Sequence, residues 1–305
     1  MSVVIFGSIN MDLVVRAPRL PAPGETLIGH TFFTAPGGKG ANQAVACARL
    51  GAHAPMIGRV GDDVFGATLR DSLRDYGVDV AGIGVSAGPS GVAAIAVDDK
   101  AENTIVIIAG ANGTIGTDDL ALLEDALAEA KVLLLQLEVP VDAVVAAAQA
   151  ARRHGVTVML DPAPARALPP ELYAATDIIT PNETEAAALV GFAVQDQSSA
   201  ERAGRALLGR GVRAVVIKMG SKGVYWTDGA RGGFAPAFQV EAVDTVAAGD
   251  AFNGGLATAL DAGLDLERAI RWGLAAGALS VTKSGAQQSM PAREDVLALL
   301  AMASQ

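Results

Sequence analysis

The chain has 305 residues, 51% hydrophobic and 18% charged, with 33 acidic against 23 basic side chains and a net charge of −10. Such a composition folds around a core, and the lack of a dense basic run argues against a nucleic-acid partner, whose phosphates need clustered Lys and Arg. A single cysteine, Cys47, leaves no internal disulfide or multi-thiolate metal centre. Met1–Asp12 has no basic leader, and the apolar stretch from Val132 to Ala151 is broken by Gln136, Glu138, Pro140 and Asp142, so no membrane association and a cytoplasmic address are expected.

In chain order, Asp12–Arg16 and Glu25–Phe33 read as strand pieces around the Pro-rich turn Pro18–Gly24. Helices are predicted at Gly40–Leu50 and near Val64–Tyr76. A second hairpin follows, Gly91–Val97 and Asn103–Ile108 around Asp98–Ala101. From about residue 130, β-branched or leucine runs alternate with alanine-rich segments of helical period. Val132–Leu137, Val156–Leu160, Asp177–Ile179 and Ala214–Met219 read as buried strands, with helices at Val141–His154, Glu183–Val190 and Ala200–Gly209. The last third is helical: Gly249–Leu260, Leu266–Lys283 and Arg293–Met302. The pattern predicts an α/β fold with a mostly parallel sheet covered on both faces and a small discontinuous β lobe inserted into it.

Three motif matches lack their context. Gly84-Val85-Ser86-Ala87-Gly88 has the spacing of a nucleophile elbow, but Pro89, Ser90 and Gly91 follow where a helix is required, so a turn is expected. Gly37-Gly38-Lys39-Gly40 lacks both the upstream glycine and the hydroxyl residue of a P-loop. Gly7-Ser8-Ile9-Asn10 stands where a dinucleotide fold would have its glycine fingerprint. His30, His53 and His154 have no metal-ligand spacing.

Asp244-Thr245-Val246-Ala247-Ala248-Gly249-Asp250 places small residues at the entry to an apolar helix. Free backbone N–H groups there can approach a phosphate, and the positive helix end favours its charge. Asp250, beside that phosphate, can take a proton from an attacking hydroxyl; a first-turn acid that merely offsets the helix dipole is the competing explanation.

This segment resembles the second signature of the ribokinase-like carbohydrate kinases, the phosphofructokinase-B family, and Gly37-Gly38-Lys39-Gly40-Ala41-Asn42-Gln43-Ala44 resembles the first. The likeness runs from Gly7–Asp12 to Lys283–Gln287. With Asp161-Pro162-Ala163-Pro164-Ala165 and Thr180-Pro181-Asn182-Glu183-Thr184-Glu185 it is nearest to members that phosphorylate D-ribose. The resemblance implies a three-layer α/β domain, residues 1–10, 36–88 and 111–305, with a β lid, 11–35 and 89–110, whose strands pair between subunits of a homodimer. It implies a catalytic base, Asp250, with an anion hole at Ala247, Ala248, Gly249 and Asp250. D-ribose would be held by Asn10, Asp12, Gly38, Lys39, Asn42, Glu138 and Asp250. ATP would be held by Asn182, Lys218, Gly220, Ser221, Gly223, Gly249 and Leu274, with Mg²⁺ associated with Asn182 and Glu185. An activating K⁺ would lie at Asp244, Val246, Ser280, Lys283, Gly285 and Ser289. Lys218 stands where Thr is common and Leu274 where His or Asn is expected. Three alternatives stay open: a sibling kinase for deoxyribose or another sugar, a nucleoside kinase using Phe32 and Phe33, and a sugar-binding regulator without chemistry.

Overall fold

A computed structural model describes residues 2–100 and 102–303; Met1, and Ala101 of the expected turn after Val97, lie outside them. The first part of the chain forms β1 (Val3–Phe6), β2 (Asn10–Arg16), β3 (Thr31–Gly37), α1 (Lys39–Arg49), β4 (Met56–Gly61), α2 (Val64–Asp75), β5 (Ile83–Ser86), β6 (Gly91–Val97) and β7 (Asn103–Ile108). There follow α3 (Thr117–Leu127), β8 (Val132–Leu135), α4 (Val141–Arg153), β9 (Thr157–Leu160), α5 (Pro170–Ala175), β10 (Ile178–Ile179), α6 (Glu183–Val190) and α7 (Gln197–Leu208). The chain closes with β11 (Ala214–Lys218), β12 (Gly223–Thr227), β13 (Gly232–Pro236), α8 (Ala248–Asp261), α9 (Leu266–Ser280) and α10 (Arg293–Met302).

Nine strands form the large sheet in the order β13-β12-β11-β10-β9-β8-β1-β4-β5. It is parallel from β5 to β11; β12 runs against the rest, and its antiparallel pairing with β13 returns the last strand to the common direction. Alternation along each strand feeds two cores. Val3, Ile5, Val132 and Leu134 join α1, α8 and α9 on one face. Val4, Phe6, Leu133 and Leu135 join α3, α4 and α7 on the other. Strands buried on both sides need continuous apolar runs, which is why Val132–Leu135 shows no polar alternation.

The second sheet has four strands, β3-β2-β6-β7. Both hairpins are antiparallel, and β2 joins them through parallel pairing with β6, Asn10 opposite Gly91 to Arg16 opposite Val97. The strand expected at Glu25–Phe33 forms instead at Thr31–Gly37. Glu25 is taken up by Arg19 and by the Ala22 N–H, while Pro36, a strand breaker in the middle of a sheet, is tolerated because β3 is an edge.

Two further expectations are corrected. The helix expected to reach Lys283 stops at Ser280, because the Val281 carbonyl accepts from the N–H groups of Val243 and Asp244 rather than from a further helical turn. Gly84–Ser86, expected in a turn, belongs to β5, and the turn starts after it; no helix follows. The Ser86 hydroxyl bonds Thr114 and accepts from Arg59, with no base beside it.

Candidate active site

α8 starts from an unusual residue. Ala247 has φ 57°, ψ 13°, the one non-glycine in the left-handed region among the described residues. Such a conformation costs a non-glycine residue on the order of 1–2 kcal/mol. It opens α8 on the wall of a cavity of about 620 Å³, where the first N–H groups of the helix have no partner within it; that of Ala248 is taken by the Thr245 carbonyl at 3.3 Å. Ala247, Ala248, Gly249 and Asp250 all line that cavity.

Asp250 is buried. Its Oδ2 accepts from Asn42 Nδ2 and its Oδ1 from Gln43 Nε2, both at 3.0 Å. Those donors come from the first turns of α1, which is held against the β1–β2 connection at a point where no side chain fits. Gly38 has φ 90°, and a Cβ there would lie 2.7 Å from the Asn10 nitrogen, so glycine is required twice over. Burial pushes the Asp250 carboxyl above its ordinary range, and Asp161 adds to this. Lys39 and the two amide donors oppose the shift without cancelling it. A carboxylate with raised proton affinity is the better acceptor of a hydroxyl proton.

A buried polar network stands behind the base. Gln43 Nε2 also donates to Asp161 Oδ2 at 3.0 Å, Gln136 donates to Gln43 Oε1 at 2.6 Å, and Lys218 Nζ reaches Asp161 Oδ1 at 2.9 Å. Burial alone would lower the Lys39 ammonium; the carboxylates of Asp250, Asp161, Glu138 and Glu185 outweigh it and hold the group firmly charged.

Beyond Lys39, Oε2 of Glu138 collects three donors: the Ser8 hydroxyl at 2.5 Å, Asn10 Nδ2 at 3.3 Å and the Lys39 N–H at 3.2 Å. Asn10 is fixed in turn by Asn112, whose amide donates to its Oδ1 at 2.7 Å. Asp12, further along β2, is pushed up to about 7 by burial and by the charges of Glu138 and Asp250. Asn10, Asp12, Lys39, Asn42, Glu138 and Asp250 therefore surround one polar region, with Gly38 beneath it.

Asn182, Lys218, Gly220, Ser221, Gly223, Gly249 and Leu274 all line the cavity itself. Asn182 caps α6, accepting from the Glu185 N–H while Glu185 Oε2 accepts from the Asn182 N–H, both at 2.8 Å. The capping box and a place on the cavity wall thus coexist. Burial, with Asp161, raises the Glu185 carboxyl. Val240, Leu274, Ala278 and Val281 give the cavity an apolar wall, which suits the flat face of a ring, whereas Lys39, Asn182, Glu185, Lys218 and Asp250 supply polar and charged groups to the rest of its lining.

Asp244 and Val246 precede α8, Ser280 is the last residue of α9, Lys283 and Gly285 follow it, and Ser289 ends a short 3₁₀ turn. Asp244 accepts from the Val246 N–H and, 41 residues on, from the Gly285 N–H, each at 3.0 Å. Among the described residues no group of three or more His, Cys, Asp or Glu side chains offers a metal cage. Sequence reasoning assigned no role to Asp161, Gln43, Ser8 or Asn112. Asp161 and Gln43 stand inside recognised motifs; nothing in local pattern marks Asn112.

A helix start on the cavity wall, a buried carboxylate in its first turn and a polar region around Glu138 and Asn10 have the make-up of a phosphotransferase centre. The chain matches the pfkB family carbohydrate kinases over residues 1–293, and it belongs to that family. It is 44% identical over 300 residues to a Haemophilus influenzae protein named ribokinase, covering 98% of each chain. A Salmonella typhi deoxyribokinase is 37% identical over 296 residues, 96% of this chain and 97% of that one. The solved structure of Arabidopsis thaliana ribokinase complexed with ribose and ATP superimposes with a TM-score of 0.90 at 34% identity over 98% of both chains.

Proposed function

We infer that the chain transfers the γ-phosphoryl group of ATP to the 5-hydroxyl of D-ribose, giving ribose 5-phosphate and ADP. The observation that carries this is Asp250, a buried carboxylate in the first turn of α8, set between the nucleotide-sized cavity and the polar region around Glu138 and Asn10. As the sugar oxygen bonds to the γ-phosphorus, Asp250 takes its proton, the bond to the β-phosphate oxygen breaks and ADP leaves with that electron pair. The amides behind Ala247 stabilise the charge on the transferring group. Carboxylates, amides and an ammonium suit a polyol that presents donors and acceptors on all sides.

Mg²⁺ would arrive on the nucleotide and neutralise its phosphates, keeping waters and needing one or two protein contacts. Asn182 and Glu185 offer hard oxygens on the cavity wall for that lighter demand. K⁺ would suit the carbonyls of the two loops that Asp244 ties together. The assignment of residues 11–35 and 89–110 as a lid over 1–10, 36–88 and 111–305 rests on their separate sheet. Its strand β7 exposes Ile105, Val106, Ile107 and Ile108 along both faces, which favours cover by a second copy of the chain. Val106→Asp should then lower the sedimentation mass from dimer to monomer. No described helix is long and apolar enough to cross a membrane; the cytoplasmic address rests on the one cysteine, buried and free, as suits a reducing compartment.

The test is ADP release with ATP and Mg²⁺ across ribose, deoxyribose, fructose, fructose 6-phosphate and adenosine, with and without K⁺. Ribose-dependent turnover raised by K⁺ is expected. Preference for deoxyribose, which the Salmonella relative makes a real rival, would overturn the choice of acceptor. No turnover with ribose still bound would favour a regulator.

A further inference from the structure

Lys218 ends β11 at the carboxyl edge of the parallel sheet, where α/β sheets bind ligands. Its backbone N–H is fixed to the Pro181 carbonyl at 2.8 Å, and residue 218 bridges to Asn182. The side chain is only 13% exposed, and its ammonium comes within 3.4 Å of where a Cβ on Gly249 would stand. It therefore sits over the first turn of α8, where the proposed anion site lies. An ammonium has three donors, and Asp161 Oδ1 takes one. Asp161, 1% exposed, shares Gln43 with Asp250, so the same carboxylate that aims the ammonium also helps hold the amide that aims the base.

We propose that Lys218 is a catalytic residue that binds the transferring phosphoryl group over Gly249, and that Asp161 is its positioning residue. The proposal rests on the kinase reading and adds to it a second cation beside Lys39, set on the nucleotide side of Asp250. A positive charge there meets the three equatorial oxygens as negative charge spreads over them, the place where preorganised charge accelerates phosphoryl transfer most. A lysine that served only to neutralise buried Asp161 is the alternative.

Lys218→Met leaves Asp161 buried without its cation and risks the fold, so the informative variant is Lys218→Met with Asp161→Asn, in which neither charge remains. Thermal melting confirms that it folds. For a phosphoryl-binding Lys218, this double variant turns over on the order of a hundredfold more slowly, and Lys218→Arg recovers part of the rate. Calorimetry with a non-hydrolysable ATP analogue shows weakened binding, while ADP binds as before. Recovery of kcat to within about threefold of the unmutated chain, or equal weakening of ADP and the triphosphate analogue, would overturn the proposal. Absence of turnover in the unmutated chain would count against the kinase reading alone, because the comparison of triphosphate with diphosphate reads Lys218 without turnover.

Discussion

Asn42 donates its side-chain amide to Oδ2 of Asp250 at 3.0 Å, joining residues 208 positions apart in the chain. The contact fixes the carboxylate from the first turn of one helix while it rides on the first turn of another. Asp250→Asn replaces one acceptor oxygen by an NH₂ that must face either Asn42 or Gln43, both donors. Turnover should fall by at least a thousandfold as the base disappears. Ribose binding, read by calorimetry, should stay within about tenfold, and retained turnover would remove Asp250 from the chemistry.

Ala247 offers a second handle. A β-branched side chain in the left-handed region is a genuine outlier, so Ala247→Val should lower the thermal midpoint and swing the α8 amides off their target. We expect kcat to fall about tenfold or more, with the ribose KM changed much less. Ala247→Gly accepts the same dihedrals and should melt no lower than the parent.

Asp12 makes stability depend on pH. Its folded pKa of about 7 lies above the ordinary 3.8, so the folded state holds the proton more tightly than the unfolded chain. That contribution is whole below about pH 4, shrinks as pH rises through 7 and is gone above it. The melting difference between Asp12→Asn and the parent should therefore shift in favour of the variant from pH 5 to pH 8. An unchanged difference would mean that Asp12 titrates normally.

Glu138→Gln keeps a carbonyl oxygen for Ser8, Asn10 and the Lys39 N–H, but converts the second carboxylate oxygen into a donor. A misplaced donor facing sugar hydroxyls costs about 1–3 kcal/mol. The ribose KM should rise tenfold or more with the ATP KM little altered; a selective rise for ATP would place Glu138 on the wrong substrate.

Elements whose burial is two-sided were legible in the sequence because their apolar runs carry no alternation: Val132–Leu135 and Ala214–Lys218 are examples. The hairpin of β12 and β13 was not, since Gly232 and Gly233 carry no β-branched or aromatic side chain to mark a strand and the ladder that orders them comes from β12. Asp250 was readable from small residues at a helix entry. The Lys218–Asp161 pair was not, because it closes across 57 residues through an arrangement that exists only after β9 and β11 are laid side by side with β10 between them.

Asn10 and Gly37 pair at the end of the small sheet nearest the core. Asn10 is also paired with Gly91 of β6 there, so three strands of the small sheet converge on the residue whose amide reaches Glu138. Were the small sheet to swing as the proposed lid, Asn10 at its root would shift least and Asp12, two residues further along β2, would shift more, so the reach of that carboxyl into the polar region would report the angle of the sheet.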